Sequence, residues 1–251
     1  MERRKVVIET EGLTKEYGGQ VAVDHISFEV KEGEIFGFLG PNGAGKTTTL
    51  LMLLGLSEPT EGRALVLGVD PIREPIKVKR MVGYLQENMG FYRDMDARQM
   101  LKYIGELNGV VGEEAEVRIE GALKEVGLEK EAGKKIEAYS RGMRQRLGIA
   151  EILLKEPRVA FLDEPTIGLD PDGTNRMIAL IRRLAGERGM TIMLSSHLLY
   201  QAQKVCDRFG IMISGRLVGQ GTMEELGGEK IGIGRKEYTL EEVYMKFFKG
   251  E

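Results

Sequence analysis

The sequence predicts an α/β fold with a helical segment inserted into it. Three observations carry that prediction: short apolar runs bounded by glycine turns in the first third, a middle stretch with helical spacing and no strand pattern, and buried-strand runs separated by helices after it. Residues 6–13, 26–30 and 35–39 read as strands around the turns Tyr17-Gly18-Gly19 and Lys31-Glu32-Gly33-Glu34, the first of them antiparallel. The run 35–39 is nearly all apolar, as a strand buried on both faces should be. A glycine loop follows it, then a helix over 46–56, a turn over 58–62 and a strand over 64–67. In the middle, Leu101, Ile104 and Leu107, then Ile119, Leu123 and Val126, recur at helical spacing, and Gly127 supplies a stop. A third helix opens at Ser140, whose hydroxyl suits an N-cap, with Met143, Leu147, Ala150 and Leu154 on one face and Pro157 blocking continuation. Residues 158–162 and 190–195 return to strand character with a helix after Pro171 between them, and 209–213 and 216–220 form a hairpin about Ser214-Gly215. A charged tail carries one more helix near 240–248. The expected organisation is a single domain: core and N-terminal β-subdomain over 1–93 and 157–221, a helical subdomain over 94–156, and a tail over 222–251.

Composition narrows the function classes. Over 251 residues, 36 Lys and Arg face 39 Asp and Glu, and a formal charge of -3 argues against a generic nucleic-acid binder. The lone Cys206 excludes an internal disulfide framework and a Cys-rich zinc site, which fits a reducing compartment. No stretch approaches ~18 uninterrupted apolar residues and no secretory core follows the start, so the chain reads as neither exported nor membrane-spanning.

Two segments carry chemistry. Gly40-Pro41-Asn42-Gly43-Ala44-Gly45-Lys46-Thr47, continued by Thr48, matches the phosphate loop G-x-x-x-x-G-K-[ST] between a buried strand and a helix. Its glycines let backbone N–H groups turn inward around phosphate oxygens, the helix N-terminus adds its positive end, Lys46 reaches the β and γ phosphates, and Thr47 holds Mg²⁺. Val159-Ala160-Phe161-Leu162-Asp163-Glu164 sets two carboxylates at the C-terminal end of a buried strand, where ligands of open α/β sheets bind. Taken alone, an acidic pair there also reads as a strand ending on solvent. Beside a phosphate loop it reads as a division of labour, with Asp163 in the Mg²⁺ shell and Glu164 polarising a water for attack on the γ-phosphate.

Tyr139-Ser140-Arg141-Gly142-Met143 opens a helix about twenty residues before the acidic pair, and it resembles the signature motif of ATP-binding cassette ATPases, the motor subunits of ABC transporters. The resemblance covers residues 6–220. It implies a phosphate-loop NTPase core of RecA-like type, ATP and Mg²⁺ as ligands, and two ATPase subunits, identical or different, meeting head to tail so that Ser140 and Gly142 of one close over the γ-phosphate held by the other. A bare N-cap is what Ser140 would be by itself. Thr166-Ile167-Gly168-Leu169-Asp170 resembles the loop through which protomers communicate, with Asp170 as its acid. Ser195-Ser196-His197 resembles the end of the strand that carries the family's switch histidine, which makes His197 a catalytic candidate with Glu164 and Lys46. Tyr17 matches the aromatic that stacks on adenine and equally suits an ordinary turn tyrosine.

Departures from the family pattern are equally informative. Tyr139, Arg141 and Met143 replace the commoner Leu, Gly and Gln of the signature, which resembles the ABC-2 type exporter branch, the efflux ATPases for drugs, sodium and polysaccharide. After Val82-Gly83-Tyr84-Leu85 the family's glutamine normally follows one further residue, so Gln86 stands one place early and Glu87 occupies its slot; either can touch the Mg²⁺ shell, and Glu87 adds a negative metal candidate. Residues 90–96 then read as the coupling surface for a transmembrane permease, or as a plain solvated loop. The resemblance further implies a cytoplasmic protein, peripheral at the inner face of the cell membrane, without a nucleic-acid partner. The competing expectation is a soluble cassette ATPase in cofactor assembly or another non-transport role. A phosphate-loop kinase or GTPase is opposed by the signature and the histidine.

Overall fold

A computed structural model describes residues 4–230 and 239–249. From the N-terminus its elements are β1 (Val6–Tyr17), β2 (Gln20–Lys31), β3 (Ile35–Leu39), α1 (Lys46–Leu53), β4 (Glu61–Val66), α2 (Pro75–Met81) and β5 (Val82–Leu85). The helical segment holds α3 (Ala97–Leu107), α4 (Gly112–Glu125) and α5 (Arg141–Leu153). There follow β6 (Val159–Asp163), α6 (Pro171–Arg188), β7 (Thr191–Ser196), α7 (Leu199–Val205), β8 (Arg208–Ile213), β9 (Arg216–Gly221), α8 (Met223–Lys230) and α9 (Leu240–Lys249).

Two sheets result. Strands β2, β1 and β4 form an antiparallel sheet in that order, and β5-β6-β7-β3-β8-β9 form a six-stranded sheet that is parallel except for the last hairpin. The all-apolar strands sit in its centre, and the strand period of two explains why both of their faces are apolar. Phe36, Phe38, Phe161 and Met193 point into one core, shared with the antiparallel sheet and α1, where Phe28 stacks on Phe36 at 5.7 Å between centroids. Ile35, Leu39, Leu162, Ile192 and Leu194 point into the other, shared with α5, α6 and α7.

The helical segment is pinned at its neck by main-chain bonds from Ala97 N–H to Ala132 O (3.1 Å) and from Ile136 N–H to Met95 O (2.9 Å). Asp96 and Gln99 form a reciprocal capping box that starts α3. The segment has helices but no core of its own: Leu101, Ile119, Leu123 and Leu147 join one cluster with Leu85 and Leu162 of the sheet. The junction is tight, because a Cβ on Gly83 of β5 would lie 2.2 Å from Ile152 Cγ2 of α5.

Several boundaries differ from the sequence expectation for identifiable reasons. Helix α1 stops at Leu53 rather than 56, because Gly55 takes φ +63° and the bonds Gly55 N–H to Met52 O and Leu56 N–H to Leu51 O close a Schellman turn. Strand β1 continues to Tyr17 through a register shift between Thr10 and Leu13, where Gly12 has φ +57°. Helices α2, α7 and α8, of 7, 7 and 8 residues, are too short to show an apolar period and were not anticipated. The tail helix α9 docks on its own chain: Leu240 and Val243 are buried, and Leu240 N–H donates to Gln203 Oε1 of α7 at 2.9 Å.

Since the β-branched Ile152 is fixed in a close-packed core, Gly83→Ala is expected to destabilise the fold by about 1–3 kcal/mol, read as a lower midpoint in urea unfolding. The double variant Gly83→Ala with Ile152→Ala is expected to be less destabilised than the sum of the two singles.

Candidate functional site

The site grows from the carboxyl ends of three adjacent central strands. Strand β3 ends at Leu39, and Gly40 N–H donates to Ser196 O of β7 at 3.2 Å, which ties the loop to its neighbour. Glycine is required at two loop positions: a Cβ at residue 40 would lie 2.3 Å from Met212 O, and one at residue 45 would lie 2.4 Å from Ala22 O, with Gly45 itself at φ +100°. Gly45 is also the N-cap of α1 and brings no side-chain cap. The first N–H groups of that helix therefore point out of the loop without a side-chain acceptor, the arrangement that binds phosphate.

Lys46 is buried, with Nζ donating to Gly40 O (2.8 Å) and Pro41 O (3.2 Å) and lying 3.5 Å from Glu164 Oε1. Exposed Thr47 extends its hydroxyl to the Asp163 carboxylate, 3.0 Å from Oδ2 and 3.3 Å from Oδ1, and Thr48 is half-buried beside it. Pro41, Asn42 and Gly43 form the exposed rim, and Ala44 is buried under it.

Strand β6 delivers Asp163 and Glu164, both buried. Glu164 holds a left-handed backbone, φ +49°, and its N–H donates to both the carbonyl oxygen (3.2 Å) and the hydroxyl (3.1 Å) of Ser195. The same Ser195 hydroxyl donates to Asp163 Oδ1. The Glu164 carboxylate lies between Lys46 and His197: His197 N–H donates to Oε2 at 3.4 Å, while Nδ1 approaches Oε1 to 3.0 Å without the alignment of a hydrogen bond. Burial, with the negative charge of Asp163 adding to it, pushes the Tyr84 hydroxyl of β5 up to about 12.

Parallel pairing places Leu85 beside Leu162, so Gln86 is the first residue to emerge next to Asp163. Gln86 and Glu87 are both exposed, and among the described residues no hydrogen bond or ion pair joins either to Asp163 or Thr47. Tyr17 is 51% exposed at the end of β1, with Oη 3.1 Å from Ser57 Oγ and Lys15 Nζ 4.8 Å from its ring centroid.

The signature candidates gather at a second place. Ser140 caps α5, its hydroxyl accepting from Met143 N–H at 3.2 Å, and Asp170 caps α6, accepting from Gly173 N–H at 3.1 Å. The Arg141 guanidinium lies so close over Gly168 that a Cβ there would be 2.6 Å from Nη1. Ser140, Arg141, Gly142, Met143 and Asp170 thus line one hollow of about 390 Å³. Among the described residues, no hydrogen bond or ion pair connects them to Lys46, Thr47 or Glu164.

Residues 23–167, more than half of the chain, match the ABC transporter family model. The chain belongs to the ABC transporter family. The bacitracin transport ATP-binding protein BcrA of Bacillus licheniformis is 44% identical over 212 residues, covering 84% of this chain and 68% of the relative. A probable multidrug ABC transporter ATP-binding protein of Escherichia coli, YbhF, is 37% identical over 96% of this chain, which spans only 42% of that longer protein. Among solved structures, the ATP-binding subunit of an ABC transporter superposes with a TM-score of 0.85 at 29% identity, covering 96% of this chain and 99% of that one. A dimeric ATP-binding cassette in a post-hydrolysis state with ADP and Pi superposes with a TM-score of 0.77 at 25% identity, over 86% and 98%. This chain is accordingly an ATP-binding ABC transporter ATPase with the mixed α/β phosphate-loop fold expected from its sequence. Among the described residues no helix is long and apolar enough to cross a membrane.

Lys46, Thr47, Asp163, Glu164 and His197, named from the sequence, lie together here, and Ser195 was not singled out, its signal being a polar pair that follows the apolar run 192–194. Removing the loop cation should weaken nucleotide binding. Lys46→Ala is expected to reduce ATP affinity about tenfold to a hundredfold, the worth of one or two charged hydrogen bonds, in an isothermal titration with the fold intact by circular dichroism.

Proposed function

We propose that the chain hydrolyses ATP with Glu164 as general base and uses that reaction to drive a separate transmembrane permease of the exporter type. The observation that carries the catalytic part is the Glu164 carboxylate held between Lys46 and His197 at the mouth of the phosphate loop. A phosphate competing for Lys46 Nζ releases Glu164 from its ion pair, so substrate binding frees the base. Glu164 then takes a proton from the attacking water while oxygen bonds to the γ-phosphorus and the bond to the β,γ-bridging oxygen breaks, giving ADP and phosphate. His197 orients the water and the γ-phosphate. Tyr17 stacks on the adenine.

The donor set fits Mg²⁺. Thr47 and Asp163 offer hard oxygen ligands side by side, and among the described residues no group of three or more His, Cys, Asp or Glu is placed to cage a metal. That suits an ion which completes its shell with substrate phosphates and water. When bound, Mg²⁺ neutralises charge on the β and γ oxygens. Of the two loop candidates, the register of β5 against β6 favours Gln86 beside Asp163, with Glu87 one position further out.

Dimerisation follows the same reading: Ser140, Gly142 and the N-terminus of α5 face the γ-phosphate of a second ATPase subunit, with Arg141 and Met143 flanking them and Asp170 at the seam. The dimeric cassette among the structural relatives supports this arrangement. Relatives whose names specify bacitracin transport, multidrug transport and linearmycin resistance support the exporter assignment over cofactor assembly, and with it a position at the cytoplasmic face of a membrane through a permease. Residues 90–96 with the exposed Tyr92 provide the coupling surface.

Glu164→Gln is expected to keep ATP binding, lower turnover about a hundredfold or more, and convert from monomer to dimer on adding ATP and Mg²⁺ in light scattering. Normal turnover would remove Glu164 from the role of base. Adding Ser140→Arg is expected to block that dimer while leaving ATP binding to the monomer unchanged, and a dimer that still formed would sink the cross-subunit assignment.

A further inference from the structure

Strand β7 is apolar from Ile192 to Leu194 and then turns polar while still fully buried: Ser195 is 0% exposed and Ser196 2%. A hydroxyl in such a place must be hydrogen-bonded, and an alanine would be the cheaper occupant if nothing used the oxygen. Ser196 has a local use, since its Oγ accepts from Leu198 N–H at 3.0 Å where the chain turns into α7. Ser195 is used across strands. Its Oγ donates to Asp163 Oδ1 and accepts from Glu164 N–H at 3.1 Å, so a single buried oxygen touches both acidic residues at the end of β6.

We infer that Ser195 is a positioning residue for the ATPase reaction, orienting the Asp163 carboxylate toward the metal shell and holding the Glu164 backbone in the conformation that aims the base.

Consider first the carboxylate. Asp163 meets the Thr47 hydroxyl through both oxygens, at 3.0 and 3.3 Å, and Ser195 holds Oδ1 from inside the sheet. That bond selects one rotation of the carboxylate plane and leaves Oδ2 directed at Thr47 on the loop side. Orienting partners of this kind commonly change metal affinity or activity by about tenfold to a hundredfold when removed. The base is held by the backbone. Left-handed φ at a residue with a Cβ is disfavoured, and Glu164 persists there with its N–H shared between the Ser195 carbonyl and hydroxyl oxygens. Without the hydroxyl one of two acceptors remains, and the glutamate gains freedom to relax. The pairing of Asp163 opposite Ser195 in the parallel ladder brings these atoms together with no adjustable loop between them.

The inference rests on the proposed roles of Asp163 and Glu164, and its test separates the two. Ser195→Ala removes only the oxygen and keeps the main-chain acceptor, and Ser195→Thr restores a hydroxyl. Nucleotide affinity is measured with a fluorescent ATP analogue in EDTA and across a Mg²⁺ titration, alongside kcat and KM for ATP. The alanine variant is expected to match the wild type in EDTA, to need roughly tenfold more Mg²⁺ to reach its half-maximal effect, and to lose at least about tenfold in kcat with KM little changed. Ser195→Thr is expected to regain most of both. An alanine variant whose Mg²⁺ requirement and kcat stay within about twofold of wild type overturns the inference. So does one that loses binding in EDTA to the same degree as with Mg²⁺, since that marks a purely structural serine. If Glu164→Gln turned over normally, the base assignment would fail on its own, and the Mg²⁺ comparison would still decide whether Ser195 orients Asp163.

Discussion

The site depends on the parallel hydrogen-bond ladder that holds β6, β7 and β3 side by side with their carboxyl ends level. Asp163 lies opposite Ser195, and Ser196 opposite Leu39, so the acidic pair, the serine pair and the root of the phosphate loop emerge at one edge of one sheet. That edge is where open α/β sheets bind ligands, because helix N-termini and strand ends converge there. The ladder also tolerates no slip. Side chains alternate between two buried cores, so a shift of one residue would send Phe161 into the core that takes Leu162 and move Asp163 from its place opposite Ser195.

Burying charge at that edge is costly, and the structure offsets it by close pairing. Lys46, Asp163 and Glu164 are each at most 6% exposed, yet every one has a partner of opposite charge or a hydrogen-bond donor or acceptor within 3.5 Å. Low dielectric makes these contacts strong and makes an unpaired member expensive. A phosphate that enters can exchange with Glu164 for Lys46 without leaving the cation bare, which suits a site that must bind and release a polyanion repeatedly. The glycines of the loop serve the same end, since Gly40 and Gly45 pass so close to Met212 O and Ala22 O that a side chain at either would open the cradle.

Helix α5 links the two functional places. Its N-terminus carries Ser140 and Arg141, and its C-terminal half packs Gly148 and Ile152 onto Leu85 and Gly83 of β5, the strand that leads to Gln86. The 13 residues of this helix thus span from the hollow at Ser140 to the strand that ends just before Gln86. The helical segment behaves as an extension of the main core and not as a separately cored unit, because its apolar residues continue the cluster on one face of the sheet.

What the sequence alone determined follows from local physics. The phosphate loop is legible because glycine spacing, the lysine and the flanking strand and helix are all contiguous, and the all-apolar run before Asp163 announces a strand buried on both faces. Ser140, Asp170 and His197 became candidates through resemblance alone. Short helices such as α2 and α7 stayed hidden since seven residues hold too little period, and the end of α1 was misplaced because a Schellman turn depends on bonds as well as on the presence of Gly55. Tertiary structure alone decided that Glu164 lies between Lys46 and His197, that the tail folds back on α7, and that Ser195 bridges two residues about thirty positions away in sequence. The reason is physical: sequence pattern records which face of an element is apolar, whereas a buried hydroxyl finds its partners only when strand order and register have brought separate segments within hydrogen-bond reach.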